Sequence, residues 1–123
     1  MITAQTAWDF DRQYLWHCRA QPLHVTDGDT VRLLVDTGFG GRHEVALRLA
    51  GYSAPERYEA GGAEATAALA RAIATGVGAW PLRVATLQRE TVISEVRSFE
   101  RYVGHLWIAM PDGGLVNVRE VVR

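Results

Sequence analysis

The chain has 123 residues, of which 48% are hydrophobic and 22% charged, the composition of one folded domain rather than of a disordered segment. Thirteen basic residues, every one an arginine, face fourteen acidic ones, for a formal net charge of −1. Nucleic-acid binders usually carry a clear basic excess, because phosphate contacts supply most of their affinity, so any such contact here must be local. Arginine suits a planar, bidentate grip on phosphate or carboxylate, although base-composition bias in a genome produces the same usage. The apolar runs fall short of the ~20 residues a spanning helix needs, which argues against membrane insertion. Asp9, Asp11 and Arg12 stand where a secretory apolar region would sit, so a cytoplasmic location is expected. The single cysteine, Cys18, leaves no internal disulfide framework or Cys-based zinc site, and His17, His24, His43 and His105 show no paired metal spacing.

In chain order, residues 1–12 carry Trp8 and Phe10 among polar residues and read as an arm or short helix. The folded domain is therefore expected over 14–123, after an N-terminal arm at 1–13. From Tyr14 to Val25, alternation of Tyr14, Trp16, Cys18 and Ala20 against Leu15, His17 and Arg19 predicts a first strand. Asp27-Gly28-Asp29 is a turn signal. Thr30–Asp36 is β-branched and apolar and predicts a second strand, closed by a Gly38-Phe39-Gly40-Gly41 hairpin loop. Val45, Leu47 and Leu49 alternate in a third strand. Pro55 and Gly51 punctuate the loop that follows. From Ala60 to Thr75 the period becomes helical, with Ala65, Leu69 and Ile73 on one face and Gly76 and Gly78 at its end. Leu82–Leu87 and Tyr102–Met110 predict strands four and five, joined by an irregular or partly extended Thr91–Arg97. After the turn Pro111–Gly114, Leu115–Arg123 alternates ambiguously and also fits a short helix. Five short strands, a helix between the third and fourth, and a terminal helix are the parts of an OB-fold barrel of mainly β, α+β class.

Chemistry concentrates in a few of these residues. Two carboxylates flanking Gly28 can offer oxygen to a hard cation, and the same tetrapeptide is also a common turn. Arg48 lies near the end of strand three and Glu56 follows it past Pro55, so the intervening loop can bring both to the barrel mouth that holds Asp29. Arg101, which precedes strand five, can point there too. Two arginines, a carboxylate for a cation and a carboxylate to activate water form a set suited to phosphodiester hydrolysis. Each arginine taken alone is an ordinary surface ion-pair partner. Trp16, Trp80, Trp107 and Tyr102 can either stack bases or fill and cover the barrel.

Five stretches, HVTDGDTVRLLVDTGFG, ALRLAGYSAPE, GAEATAAL, RSFERYVGHL and PDGGLVN, resemble the staphylococcal (micrococcal) nuclease, or thermonuclease, family in order and spacing, and the GFG hairpin resembles its phage and bacterial subset. The resemblance implies a staphylococcal-nuclease-type barrel and a Ca²⁺-dependent nuclease that attacks phosphorus with water, cuts the 5′ P–O bond of DNA or RNA, and leaves 3′-phosphate ends. It implies one weakly bound Ca²⁺, with Asp29 as principal ligand, the Ser53 position and the backbone carbonyl of Ala54 as further ligands, and Asp27 supporting the metal loop from behind. Arg48 and Arg101 would hold the phosphate, Glu56 would act as general base or orient the water, and Tyr102 would contact a single-stranded substrate.

The chain departs from the family pattern in four places. Ser53 replaces the usual Asp and brings no charge to a hard ion. Glu100 replaces the Gly before the second arginine. A three-residue shift of register would put Gly104, not Arg101, at the arginine position. The resemblance stops at Arg123, where relatives continue into a Gly-Leu-Ala segment, so the helix beneath the barrel of longer members is not expected. The alternative expectation is a catalytically weak or inactive OB module that binds nucleic acid or protein, or builds part of a larger assembly such as a phage particle, with a virion-associated location.

Overall fold

Apolar residues at alternate positions can all reach one interior only if the strands that carry them curl into a closed surface. The structure, a computed structural model, describes Thr6, residues 17–90 and residues 101–122, and for residues 87–90 and 101 the backbone alone. Its elements are β1 (Cys18–Asp27), β2 (Thr30–Gly38), β3 (Gly41–Leu49), α1 (Gly62–Ala74), β4 (Leu82–Glu90), β5 (Arg101–Ala109), β6 (Leu115–Asn117) and α2 (Val118–Val122). β1 pairs antiparallel with both β2 and β4, β2 with β3, and β4 with β5. The parallel β3–β5 pair, Ala46 beside Arg101 through Leu49 beside Gly104, closes the ring. Among the described residues five strands thus form a closed mixed barrel, and with two short helices they make an OB-like α+β fold.

The core follows the period of two. Ala20, then Val31, Leu33 and Val35, then Leu47 and Leu49, then Leu82 and Val84, then Leu106 and Ile108 point inward from successive strands. Leu69 and Ile73 of α1 close one side of this interior, and Val118 of α2 joins the same cluster. The odd positions of β5 face outward, where Trp107 is buried with Ala85 and Leu115 in a second, small cluster.

The differences from the sequence expectations have local causes. β1 extends through Asp27, so the first hairpin has a two-residue turn, Gly28-Asp29, with Asp27 opposite Thr30. Residues 14–16 of the expected first strand lie outside the described residues, as do Trp8, Phe10, Thr91–Arg97 and Glu100. The helix begins at Gly62 rather than Ala60 because Gly61 takes a left-handed φ of 82° and Gly62 is pressed onto the Glu56 carbonyl. The ambiguous C-terminal segment is both things in turn. Its first three residues form β6 on the edge of β5, and Asn117 then accepts the Arg119 N–H at 2.9 Å, starting α2. Among the described residues no helix is long and apolar enough to cross a membrane.

Gly28 sets how closely the first hairpin approaches the helix. A Cβ built there would lie 2.6 Å from the Ala65 Cβ and 2.7 Å from the Ala54 Cβ. Gly28→Ala is expected to cost about 1–3 kcal/mol, since neither methyl is a flexible chain end that can swing away. Urea unfolding measures it, and an unchanged midpoint would mean that the turn and helix are not in contact.

Candidate functional site

The turn between β1 and β2 puts two carboxylates against the loop that follows β3. Asp29 is only 8% exposed. Its Oδ2 accepts the Ala54 N–H at 3.0 Å, its Oδ1 accepts the Thr30 hydroxyl at 3.0 Å, and its backbone carbonyl accepts the Leu49 N–H at 2.8 Å. Asp27 Oδ1 accepts the Arg57 N–H at 3.1 Å. Each acid of the Asp-Gly-Asp turn therefore holds one backbone amide of the 50–61 loop. Strand register brings Arg48 beside Thr30 on one side and Val103 on the other. Arg48 Nη2 donates to the Ser53 hydroxyl at 3.2 Å.

Glu56 completes the group. Repulsion from Asp27, reinforced by some loss of hydration, a hydrogen bond with Asp27 and the charges of Glu59 and Asp29, pushes its carboxyl above the ordinary glutamate range. Its backbone N–H donates to Glu59 Oε1 at 2.7 Å. Asp27, Asp29, Arg48, Ser53, Ala54 and Glu56, expected from separate stretches of chain, are thus assembled around one turn and one loop. Arg48, Ser53, Tyr52 and Val103 also border an open recess of about 380 Å³, and neither Asp29 nor Glu56 belongs to its lining.

Three expected residues stand differently. Ala54 meets Asp29 through its amide, whereas its carbonyl was the group expected to face an ion. The backbone of Arg101 lies between Ala46 and Glu90, two residues before the Val103 that neighbours Arg48. At Gly104, the position named by the alternative register, a side chain would meet the Ala85 carbonyl 2.5 Å away. Tyr102 is half-buried against the core, so a large part of its ring serves packing.

The acids offer a single-carboxylate foothold for a cation. A carboxylate has about four acceptor sites. Asp29 uses one on each oxygen, which leaves capacity for a hard ion. Mutual repulsion around Glu56 is also the electrostatic setting that a cation relieves. Among the described residues, however, no three His, Cys, Asp or Glu side chains are grouped to hold a metal. Calcium takes six to eight oxygens, so an ion here would rely on neutral oxygens and water and bind weakly.

Two contributors escape a reading of the sequence. Glu59 adds charge and caps the Glu56 amide, and its spacing of three from Glu56 was the available signal. Arg119 of α2 donates from Nη1 to the Ala50 carbonyl at 3.2 Å and lies over Gly51, whose φ is 70°. That contact spans 69 residues and has no local signature. Burial, and after it the Arg119 guanidinium, hold the neighbouring His105 below the ordinary histidine range.

No family model matches the chain, and no curated protein matches it either.

A carboxyl raised in the folded state binds its proton more tightly there than in the unfolded chain. The stabilisation this gives is complete below the ordinary glutamate range and is lost as pH rises through the raised folded value. Asp27→Asn removes the chief source of repulsion and keeps an oxygen for the Arg57 amide. It is expected to return the Glu56 pKa toward ordinary glutamate, followed by carboxyl-carbon NMR, and to raise stability at neutral pH relative to acid. An unmoved Glu56 titration would place Asp27 too far away to matter.

Proposed function

We propose that the chain is a Ca²⁺-dependent, nuclease-like phosphodiesterase on a barrel of the staphylococcal-nuclease type, acting on DNA or RNA as single strands. The observation that carries the reading is the meeting of Asp27, Asp29, Arg48, Ser53 and Glu56 at the β1–β2 turn. These are the positions that the resemblance assigns to ion, phosphate and water.

In this reading Arg48 binds the scissile phosphate and stabilises charge on its equatorial oxygens. Glu56, with its raised proton affinity, takes the proton from an attacking water. Water oxygen bonds to phosphorus, the P–O5′ bond breaks, and the leaving oxygen is protonated from solvent, leaving a 3′-phosphate. Arg101 adds a second guanidinium by its place in the motif. A cation, when bound at Asp29 with the Ser53 hydroxyl and the Ala54 carbonyl, offsets phosphate charge and polarises its oxygens. Asp27 acts behind this set by fixing the loop through the Arg57 amide.

Two contacts favour a second reading, a non-hydrolytic OB module that binds nucleic acid or protein or serves a larger assembly. One acceptor site on each Asp29 oxygen is taken by an internal hydrogen bond, and Arg48 donates to the neutral Ser53 that replaces a carboxylate.

The readings separate on purified protein. Nicking of single-stranded DNA in millimolar Ca²⁺, abolished by EGTA and lowered about 10²-fold by Arg48→Ala, is the expected result for the enzyme. No cleavage at high protein concentration would remove it. Ser53→Asp adds a charge at a hard-ion site and is expected to tighten Ca²⁺ by calorimetry. An unchanged isotherm would take position 53 away from the ion.

A further inference from the structure

The barrel carries a second charged region at the opposite end of the same strands. Register aligns one outward-facing row across four strands. Arg83 of β4 lies beside Arg19 of β1, Arg19 beside Asp36 of β2, and Asp36 beside Arg42 of β3. Three guanidinium groups and one carboxylate therefore share a face of a chain whose net charge is −1. Asp36 is already engaged, accepting Arg19 Nε at 2.8 Å and the Gly38 N–H at 2.9 Å. Glu44 of β3 faces Arg32 at 3.8 Å.

Aromatic surface adjoins this row. The Trp80 ring lies under two guanidinium groups, 4.7 Å from the Arg19 Cζ and 5.2 Å from the Arg42 Cζ. Three residues after Asp36 and three before Arg42 stands Phe39, fully exposed at the β2–β3 tip. Its φ is 55°, a left-handed conformation that a bulky residue rarely adopts, between Gly38 at 90° and Gly40 at 78°. The tip thus presents an aromatic ring to solvent at a backbone cost, and nothing in the barrel's packing requires it. A recess of about 390 Å³ is lined by Arg19, Asp36 and Arg83 of the row and by Thr37 and Gly38, which lead to the tip.

We propose that this face is a second binding surface for single-stranded nucleic acid, in which Arg19, Arg42 and Arg83 follow the phosphates and Phe39 stacks on a base. Guanidinium groups interleaved with an exposed ring are the combination that holds single strands without reading sequence. A protein partner of simple acidic character would match the arginines and leave the Phe39 ring unused. The surface lies roughly 25 Å from the Asp27–Asp29 turn, counted as the eight residues of β1 between Arg19 and Asp27. It works whether or not the turn hydrolyses anything, so it does not rest on the nuclease reading.

The test is fluorescence anisotropy of a labelled oligothymidylate with the full chain in EGTA, which suppresses any Ca²⁺-dependent cleavage. Phe39→Ala is expected to weaken binding at least about fivefold, and Phe39→Trp to restore it. Arg42→Ala is expected to lower the slope of log affinity against log salt by about 1. Phe39 and Arg42 are both exposed, so neither change disturbs the fold, and circular dichroism checks this. Arg71→Ala, at an exposed arginine of α1 outside the row, is expected to leave binding intact. Affinity unchanged by Phe39→Ala and Arg42→Ala, or lost only in Arg48→Ala, would overturn the proposal, the latter while supporting the turn as the substrate site. Absence of binding, or equal competition by polyglutamate, would overturn it as well.

Discussion

The buried carboxylate of Asp29 is the constraint on which the site end of the barrel depends. It sits in a two-residue turn and reaches across to the Ala54 amide, while its own carbonyl receives the end of β3 at Leu49. A buried ionised group is tolerable only when its oxygens are satisfied, and here the satisfaction comes from the very loop that carries Ser53, Ala54 and Glu56. Loop and turn thus define one another. Gly28 lets the turn come this close, because its missing side chain leaves room for the methyls of Ala54 and Ala65.

The same residues create an electrostatic imbalance. Asp27, Asp29 and Glu59 all raise the proton affinity of Glu56. At the far end of β1 the imbalance reverses, with Arg19, Asp36 and Arg42 in one row and Trp80 beneath two guanidinium groups. A chain of almost neutral overall charge is therefore strongly polar along its strands. Whole-chain charge, which argues against broad nucleic-acid binding, hides both ends.

Most of the barrel was readable because its signals are local. Alternation in β2 and β3, the Gly-rich hairpin, and the four-residue spacing of Ala65, Leu69 and Ile73 each report an element within a few residues. The cradle around Asp29 was legible from motif positions, since Arg48, Ser53, Ala54 and Glu56 lie in one short stretch. Long-range features were not. Leu115–Asn117 becomes a strand only because β5 offers an edge, and Arg119 matters only because α2 lies over Gly51. The helix start shifted because contact with the Glu56 carbonyl, rather than propensity, decides where Gly62 sits. Tyr102 read as either a stacking or a packing ring, and the structure shows it half-buried against the core.

The parallel seam between β3 and β5 also dictates an order of events. Residues 46–49 find their second neighbour only in residues 101–104, so a nascent chain leaving the ribosome carries an open β1–β2–β3 sheet until residues 101–104 have been made. The hairpin that bears the Phe39 tip needs no such wait, since its pairing is wholly between neighbours in sequence. Arg48 lies in the seam itself and gains its rigid backing last. The two ends of the barrel therefore mature at different times, with any chemistry at the acidic turn appearing only once the final seam has zipped shut.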